Sequence, residues 1–314
     1  GAAAIDAIKG KKNMNIFVLH PNNKISIVQR KLMSTVKENN VFNIAIEGNF
    51  DDCQNLVKAM FEDKKFSNLI NMSGVNSINW ARIIAQAVYY FYSYFLINNN
   101  KQINFSVPTG NFGDVYAGYL SKKMGLPINK LIVATNQNDI LHRAITNGKY
   151  EAEPVVETNS PSMDIQIASN FERLIYDLNN QNDSETNKIM LDIKKNGKFI
   201  ISSEKLSKIK KDFLSAKITE TEVLRIIKET YEKYKVIFDP HTAIGFGASK
   251  IKDLEGDIVT LATAHPCKFP DAINRSINFK PSLPNEIKDI LDQKENYDII
   301  SNNFNKIKQY IKNK

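Results

Sequence analysis

Apolar and polar positions alternate in blocks along the chain, and these blocks predict strands and helices in turn. Short apolar runs predict strands at residues 15–19, 41–46, 103–107, 130–135 and 258–262. Apolar residues at helical spacing predict helices at residues 26–37, 51–62, 80–97, 113–124 and 139–146. Because strands that alternate with helices favour a mostly parallel sheet covered by helices, we expect the α/β class.

Two regions depart from this alternation. Residues 159–235 are polar and carry charged runs such as residues 205–217, which predicts a helical insertion. The simplest interpretation of its charges is a solvated surface. The tail from Pro281 predicts a proline-marked linker followed by a terminal helix.

Composition excludes several classes of protein. The 314 residues are 42% hydrophobic and 24% charged, which is typical of a globular chain with a sizeable core. The net charge of +8 comes from lysines scattered among asparagines and isoleucines, without an aromatic platform or basic helix, so we expect no nucleic-acid partner. The apolar residues 80–97 include Arg82 and Gln86, which favours a buried amphipathic helix over a membrane segment. No obligate protein partner is inferred.

Cysteine and histidine usage gives no sign of a disulfide framework or a metal site. Cys53 and Cys267 lie far apart in the sequence, with no secretory signal before them, so we expect a reducing, cytoplasmic environment. The four histidines lack metal-ligand spacing, and the pair His265 and Cys267 is more typical of local structure than of zinc.

The most informative loop lies between a predicted strand and a predicted helix at residues 107–114, with the sequence VPTGNFGD. We expect Gly110 and Gly113 to adopt positive φ and bring backbone N–H groups close to a ligand, with the helix dipole behind them. The spacing differs from that of nucleotide-binding glycine motifs. The loop is therefore a candidate phosphate site, and an ordinary strand-to-helix turn is the alternative.

A second candidate site opens the apolar helix at residues 74–82. Asn76 and Ser77 are suited to capping this helix, which is the structural alternative. Arg82 argues for more, because a cation in the first turn opposes the helix dipole unless an anion lies between them. The segment therefore predicts a second anion site.

A third loop, residues 261–269, follows the strand at residues 258–262. Ligands of open α/β sheets gather at the carboxyl ends of strands, so this loop, residues 107–114 and the turn at Thr135 and Asn136 are expected to converge. Thr263 and His265 could equally be ordinary polar residues at a strand end.

In this order, the loops resemble those of the threonine synthase family, pyridoxal-phosphate enzymes of fold type II. The matching segments are residues 17–29 (FVLHPNNKISIVQ), 45–60 (AIEGNFDDCQNLVKAM), 76–86 (NSINWARIIAQ), 107–118 (VPTGNFGDVYAG), 134–139 (ATNQND), 160–165 (SPSMDI), 239–245 (DPHTAIG) and 263–269 (TAHPCKF). One position departs: Ile27 stands where the family has proline, which should loosen the helix start there.

The resemblance implies a reaction and a set of binding residues. The family converts O-phosphohomoserine and water to L-threonine and phosphate by β,γ-elimination and replacement, the last step of threonine biosynthesis. It implies that the cofactor phosphate is held by Thr109, Gly110, Asn111, Phe112 and Gly113. Thr263 resembles the hydroxyl facing the pyridine nitrogen. Asn76, Ser77 and Arg82 resemble the grip on the substrate phosphate, with Lys24 and Lys268 as further candidates.

The resemblance also implies how the chain is organised. We expect the remainder of a smaller α/β domain at residues 1–72 and a large cofactor-binding α/β domain at residues 73–314, both with open parallel sheets. The family's Schiff-base lysine lies upstream of the matching segments, so the catalytic residue is unknown. The chain is expected to be N-terminally incomplete, inactive alone and poorly soluble. Lys211, in a Lys-Asp-Phe sequence, is interpreted as part of a solvated helix.

Two alternatives stay open. Another fold type II lyase, such as threonine dehydratase, would need the loop at residues 107–114 but not the grip of Asn76, Ser77 and Arg82. A noncatalytic module that binds a phosphate ligand would need no lysine. Assays with O-phosphohomoserine and with threonine separate the two enzymes.

Overall fold

The computed structural model describes residues 1–97, 101–251 and 254–314, which form two compact units. The first unit comprises Gly1–Val75 and Ser282–Lys314, and the second comprises Asn76–Pro281. The strands are β1 (Ile16–Pro21), β2 (Val41–Glu47), β3 (Ile103–Pro108), β4 (Ile128–Thr135), β5 (Lys149–Glu151), β6 (Lys198–Ile200), β7 (Phe213–Lys217), β8 (Ile258–Thr260) and β9 (Asp298–Ser301). The α-helices are α1 (Ala2–Ile8), α2 (Ile27–Ser34), α3 (Phe50–Glu62), α4 (Lys64–Leu69), α5 (Trp80–Ile97), α6 (Gly113–Lys123), α7 (Ile140–Asn147), α8 (Phe171–Leu178), α9 (Asp183–Asn196), α10 (Ser203–Asp212), α11 (Glu220–Tyr234), α12 (Pro240–Ile251), α13 (Pro270–Ile277) and α14 (Phe304–Lys312).

The first unit is built on a parallel sheet with the strand order β1-β2-β9. Strand β2 supplies Ile44 and Ile46 to a core that also contains Met60 of α3 and Ile307 of α14. The tail Ser282–Lys314, which the sequence assigned to the larger domain, therefore lies in the first unit. The reason is pairing: β9 runs parallel to β2, with Ile299 beside Ala45 and Ile300 beside Ile46.

The start of α2 shows how a local cap compensates for the departure at Ile27. Ser26 Oγ accepts a hydrogen bond from Gln29 N at 3.2 Å, and Gln29 Oε1 accepts one from Ser26 N at 3.4 Å. This capping box satisfies two N–H groups at the helix start. The helix therefore begins at Ile27 without the proline.

The second unit is built on a four-stranded parallel sheet with the order β7-β4-β3-β8. The central strand β3 is buried along its whole length, as expected for a strand covered on both faces. Both sheets are parallel and connected through helices, which confirms the predicted α/β class. Because β8, β3 and β4 are neighbours and parallel, the loops after them leave the sheet at one edge.

Residues 159–235 contain the predicted helices and, in addition, two strands. Strand β6 pairs antiparallel with β5, and β7 forms the edge of the main sheet beside β4. Phe213, the first residue of β7, is buried in the core. The segment is thus part of the sheet rather than a wholly helical insertion. Its strand escapes sequence reasoning because five residues, FLSAK, stand between two charged helices.

Helix α5 differs from the predicted buried amphipathic helix. Ile83 and Tyr90 are buried on one face, whereas Val88, Phe95 and Leu96 are exposed on another. Among the described residues, no helix has both the length and the apolar character needed to cross a membrane.

Candidate functional site

The loop after β3, residues 109–113, is the centre of the site and is called the GNFG loop below. Thr109 N donates a hydrogen bond to Ala134 O at 2.8 Å, and Thr109 Oγ1 donates to Val107 O at 2.6 Å. Thr109 thus fixes the base of the loop against β4. Its hydroxyl proton is donated to a backbone carbonyl rather than towards a ligand.

Space in the GNFG loop is limited at Gly110. A Cβ atom at this position would lie 2.9 Å from Ser162 O and 3.2 Å from Met163 Cα, both backbone atoms. The loop therefore needs a residue without a side chain here because of close approach. The expected positive φ at Gly110 and Gly113 is wrong: within the loop it is Phe112 that adopts the left-handed conformation, with φ of 70°.

Phe112 holds this unfavourable backbone conformation because its ring is anchored. The ring is fully buried and packs edge-on against Phe171, with 5.1 Å between centroids. A left-handed non-glycine residue is strained and persists where surrounding packing determines it. The turn at Phe112 directs the backbone of the loop into the first turn of α6.

The GNFG loop presents a group of unpaired backbone donors at the start of α6. Gly113 N donates to Asn111 Oδ1 at 3.2 Å. Within residues 1–97, 101–251 and 254–314, no acceptor is found for the backbone N–H groups of Gly110, Asn111, Phe112, Asp114 and Val115. Such a group, at the positive end of a helix dipole, is suited to bind an anion.

The start of α5 lies directly beside the GNFG loop. Asn111 Nδ2 donates a hydrogen bond to Ser77 Oγ at 2.6 Å. Because Ser77 Oγ is the acceptor, its own proton is left to donate to a ligand. The structure thus brings together two of the predicted sites, and the Asn111 side chain connects them.

Asn76 and Arg82 play different parts at the start of α5. Asn76 Oδ1 accepts from Ile78 N at 3.1 Å, which forms a turn before the helix, whereas the side chain that caps α5 is Asn79, whose Oδ1 accepts from Ala81 N at 3.0 Å. The Arg82 side chain is exposed in the first turn, and no carboxylate of the described part of the chain pairs with it. Its guanidinium is therefore available to an anion.

The two lysine candidates lie in different units. Lys24 is exposed in the turn between β1 and α2 of the first unit. Lys268 is partly buried and ends the short 3-10 helix Pro266–Lys268 of the second unit. His265 caps that helix, since its Nδ1 accepts from Cys267 N at 3.2 Å, so its role here is structural.

Thr263 follows β8 and contacts a buried polar group that sequence reasoning missed. Thr263 N donates to Thr242 Oγ1 at 3.1 Å, and Thr263 Oγ1 lies 3.4 Å from Asp239 Oδ2. His241 Nδ1 lies 2.8 Å from Asp239 Oδ1. Burial would raise the pKa of Asp239, but the hydrogen bonds from His241 and Thr242 outweigh it and hold the pKa below its usual range. Thr263 is thus held beside a buried carboxylate.

A second polar cluster joins the turn after β4 to residues 158–164. Asn136 Nδ2 donates to Asp164 Oδ1 at 2.8 Å, and Thr158 Oγ1 donates to the same oxygen at 2.6 Å. Burial raises the pKa of Asp164, and these hydrogen bonds oppose the shift. Since Ser162 and Met163 border Gly110, this cluster fixes one wall of the GNFG loop.

The remaining candidate chemistry is limited. Cys53 and Cys267 are buried, and burial raises the pKa of the Cys53 thiol to about 12. No group of histidine, cysteine and carboxylate side chains in the described ranges is arranged to hold a metal ion.

Comparisons with known proteins give the family. A family model described as "Threonine synthase, C-terminal" matches residues 242–311. The threonine synthase of Pseudomonas aeruginosa is 42% identical over 99% of this chain and 67% of its own length, and that of Saccharomyces cerevisiae is 44% identical over 92% and 62%. The pyridoxal-phosphate-bound threonine synthase from Brucella melitensis superposes with a TM-score of 0.92, at 44% identity, over 99% of this chain and 68% of that one.

The chain has the parallel α/β fold of these solved structures, so it belongs to fold type II, the class of pyridoxal-phosphate enzymes that contains them. The chain spans about two thirds of the length of these relatives. It belongs to the threonine synthase family.

Proposed function

We propose that the chain carries the cofactor and substrate phosphate sites of a threonine synthase, which converts O-phosphohomoserine and water to L-threonine and phosphate. The observation that carries this proposal is the hydrogen bond from Asn111 to Ser77, because it places a second donor group against the GNFG loop. The cofactor and the substrate of this reaction each carry a phosphate, and the two must bind side by side. The reaction therefore needs two adjacent anion sites.

The GNFG loop fits the phosphate of pyridoxal phosphate. Unpaired N–H groups converge there, Gly110 permits close approach, and the helix dipole of α6 favours a dianion. Thr263 offers a neutral hydroxyl for the pyridine nitrogen. The bound cofactor would supply an electron sink for the carbon that carries the substrate amino group. The residues of the chain hold and orient it.

Ser77 and Arg82 would hold the substrate phosphate, with Asn76 shaping the turn that presents them. Arg82 offers a planar pair of donors to a phosphate, and Ser77 offers a hydroxyl proton. Together they would orient the phosphate as the leaving group and distinguish the substrate from homoserine, which lacks it. Lys268, which lies in the same unit as Ser77 and Arg82, is a further candidate for this grip.

The test separates phosphate recognition from turnover. In the presence of pyridoxal phosphate, calorimetry measures binding of O-phosphohomoserine and of homoserine to the wild-type chain and to Arg82→Ala. We expect Arg82→Ala to weaken O-phosphohomoserine binding by about 10- to 100-fold, since a charge-assisted contact contributes roughly 1.5–3 kcal/mol. Homoserine and cofactor binding should be unchanged.

Arg225→Ala is the matched control, because Arg225 is an exposed arginine on α11 paired with Glu229 at 2.8 Å. If the wild-type chain bound O-phosphohomoserine and homoserine with equal affinity, the proposed substrate phosphate site would be contradicted. A parallel assay for phosphate release and for ketoacid formation from threonine distinguishes a synthase from a dehydratase, and binding without turnover in any assembled form would favour a noncatalytic module.

A further inference from the structure

We propose that Asn170 is an additional phosphate ligand of the GNFG loop, donating through Nδ2, and that Arg173 is its positioning residue. The inference rests on the proposed function, because the phosphate concerned is that of the cofactor. The sequence did not single out either residue.

Asn170 is a buried donor that lacks a partner. Its relative exposure is 1%, and Nδ2 finds no acceptor within the part of the chain that the structure describes. A buried amide N–H without an acceptor is unfavourable and rare in native proteins. A ligand that accepts a hydrogen bond at this point would satisfy it.

The side chain is directed at the GNFG loop. Asn170 N donates to Asn111 O at 3.0 Å, which ties its backbone to the loop. Its Nδ2 lies 3.3 Å from the point where a Cβ atom of Gly113 would stand. A side chain at Gly113 would crowd this donor together with Asn111 Oδ1 and Ser77 Cβ, both at 3.2 Å, so the glycine keeps the first residue of α6 from covering it.

Arg173 determines which end of the Asn170 amide faces the loop. Arg173 Nε donates to Asn170 Oδ1 at 2.9 Å. An arginine side chain has only donors, so reversing the amide would oppose two N–H groups. Arg173 is itself held by Ile78 O, at 3.0 Å from its NH2 group, and by the Trp80 ring, at 5.2 Å. Nδ2 is thereby kept towards the loop.

The ligand that fits is a phosphate monoester. Every unpaired group named here is a donor, from the backbone N–H groups of the loop to Asn170 Nδ2, and the α6 dipole favours negative charge. A phosphate has three terminal oxygens that can accept from several directions. We assign Asn170 to the cofactor phosphate because its backbone N donates to Asn111 O of the GNFG loop. Ser77 also contacts Asn111, through its side chain, so the experiment below tests this assignment against the substrate phosphate.

The experiment compares pyridoxal phosphate with pyridoxal, which lacks only the phosphate. Affinities are measured by absorbance and fluorescence titration for the wild-type chain, Asn170→Asp and Asn170→Ser. We expect both variants to lose at least 10-fold in affinity for pyridoxal phosphate and to keep the affinity for pyridoxal. Arg173→Lys should show a smaller loss with the same selectivity, because it keeps the charge but not the hold on Oδ1.

Asn179→Asp is the matched control. Asn179 is also a buried asparagine of the second unit, but its Nδ2 is paired with Thr186 Oγ1 at 3.0 Å. Thermal melting without ligand reports any general loss of stability, which the control should share. Its ratio of pyridoxal phosphate to pyridoxal affinity should equal that of the wild type.

Three results would overturn the assignment. Asn170 variants could keep the wild-type ratio of the two affinities, or they could lose the preference for O-phosphohomoserine over homoserine instead, which would move Asn170 to the substrate phosphate. A wild-type chain that binds pyridoxal phosphate and pyridoxal equally would contradict the proposed cofactor site itself, and so is distinguishable from a failure of Asn170 alone.

Discussion

Gly110 and Phe112 show how single residues shape the anion site. At Gly110 the limiting factor is distance, since two backbone atoms of residues 162 and 163 border the position. At Phe112 it is conformation, since the buried ring holds a left-handed backbone. Residues 162 and 163 cover one side of the loop, and its backbone N–H groups are left for a ligand on the other side.

Gly110→Ala should weaken binding of pyridoxal phosphate by about 10-fold or more. The added Cβ would lie 2.9 Å from Ser162 O, and overpacking of this kind costs about 1–3 kcal/mol. Gly110→Val should have a larger effect. Fluorescence titration measures the affinity, and Gly197→Ala, at the exposed end of α9, controls for a general loss of stability. Wild-type cofactor affinity in Gly110→Val would contradict the close approach at this loop.

Sequence reasoning found the polar residues that stand in loops and missed those whose role depends on long-range contacts. Ser77 and Thr109 follow from their positions beside a helix start and a strand end. Asn170 and Asp239 do not, because their roles depend on contacts with residues distant in sequence, Asn111 for the first and Thr263 for the second. The sequence DPHTAIG carried a usable signal, since an aspartate two residues before a histidine can form the pair seen at residues 239 and 241.

At the scale of elements, α5 and α6 pack through a buried polar pair. Tyr90 Oη of α5 lies 3.1 Å from Asp114 Oδ1 of α6, and its ring packs on Phe105 of β3 at 4.8 Å. Burial raises the pKa of the Asp114 carboxyl to about 6, and the hydrogen bond from Tyr90 opposes the shift. The helix that begins at the GNFG loop therefore carries a carboxyl that keeps its proton to a higher pH than an ordinary aspartate does.

Asp114→Asn should remove a pH dependence of folding stability. Because the pKa in the folded state is higher than the ordinary value of 3.8, the folded chain binds more protons than the unfolded chain between about pH 4 and 6. The free energy of unfolding of the wild type should fall as the pH rises through this window, relative to the variant, by roughly 3 kcal/mol at most, and level off above it.

Urea denaturation of both proteins at pH 4, 5, 6 and 7 checks this prediction. Asp192→Asn, which changes an exposed aspartate on α9, is the control and should follow the wild type. A constant difference between wild type and Asp114→Asn across the window would show that Asp114 titrates alike in the folded and unfolded chains.

At the scale of the whole molecule, the alternation of predicted strands and helices indicated the parallel sheets. The placement of residues 282–314 in the first unit was not predicted. Arg30 of α2 forms two hydrogen bonds with Glu295, at 2.8 and 3.1 Å, across 265 residues of sequence. Four residues of β9 complete the first sheet. Neither a four-residue strand nor an ion pair over that separation has a local signature, so the domain boundary after residue 281 could not be derived from the pattern.

The exposed face of α5 should make the chain associate at high concentration. Val88, Tyr92, Phe95 and Leu96 are each 62–67% exposed and follow one another at helical spacing. An apolar patch of this kind favours contact with other apolar surfaces. Light scattering over a range of concentrations should show association that Phe95→Glu with Leu96→Glu reduces. Leu191→Glu, at an exposed leucine on α9, is the control, and equal effects of both changes would contradict a role for this face.

The last prediction concerns covalent chemistry: the chain alone should neither carry pyridoxal phosphate on one specific lysine nor form threonine. The resemblance puts the family's lysine in a segment upstream of the matching ones. Two lysines of this chain show other surroundings: Lys217, at the carboxyl end of β7, lies 3.0 Å from Asp139, and Lys211 is exposed at the end of α10. A charged ammonium is a poor nucleophile.

Borohydride reduction in the presence of pyridoxal phosphate, followed by peptide mapping, tests this directly. We expect substoichiometric labelling spread over exposed lysines, with a similar distribution after unfolding in urea, because accessibility rather than a site would determine it. A threonine assay with O-phosphohomoserine runs in parallel. Stoichiometric labelling of one lysine in the folded chain only, together with turnover, would assign the catalytic base to that residue and show that the GNFG loop, Thr263 and Arg82 work with a lysine of this chain.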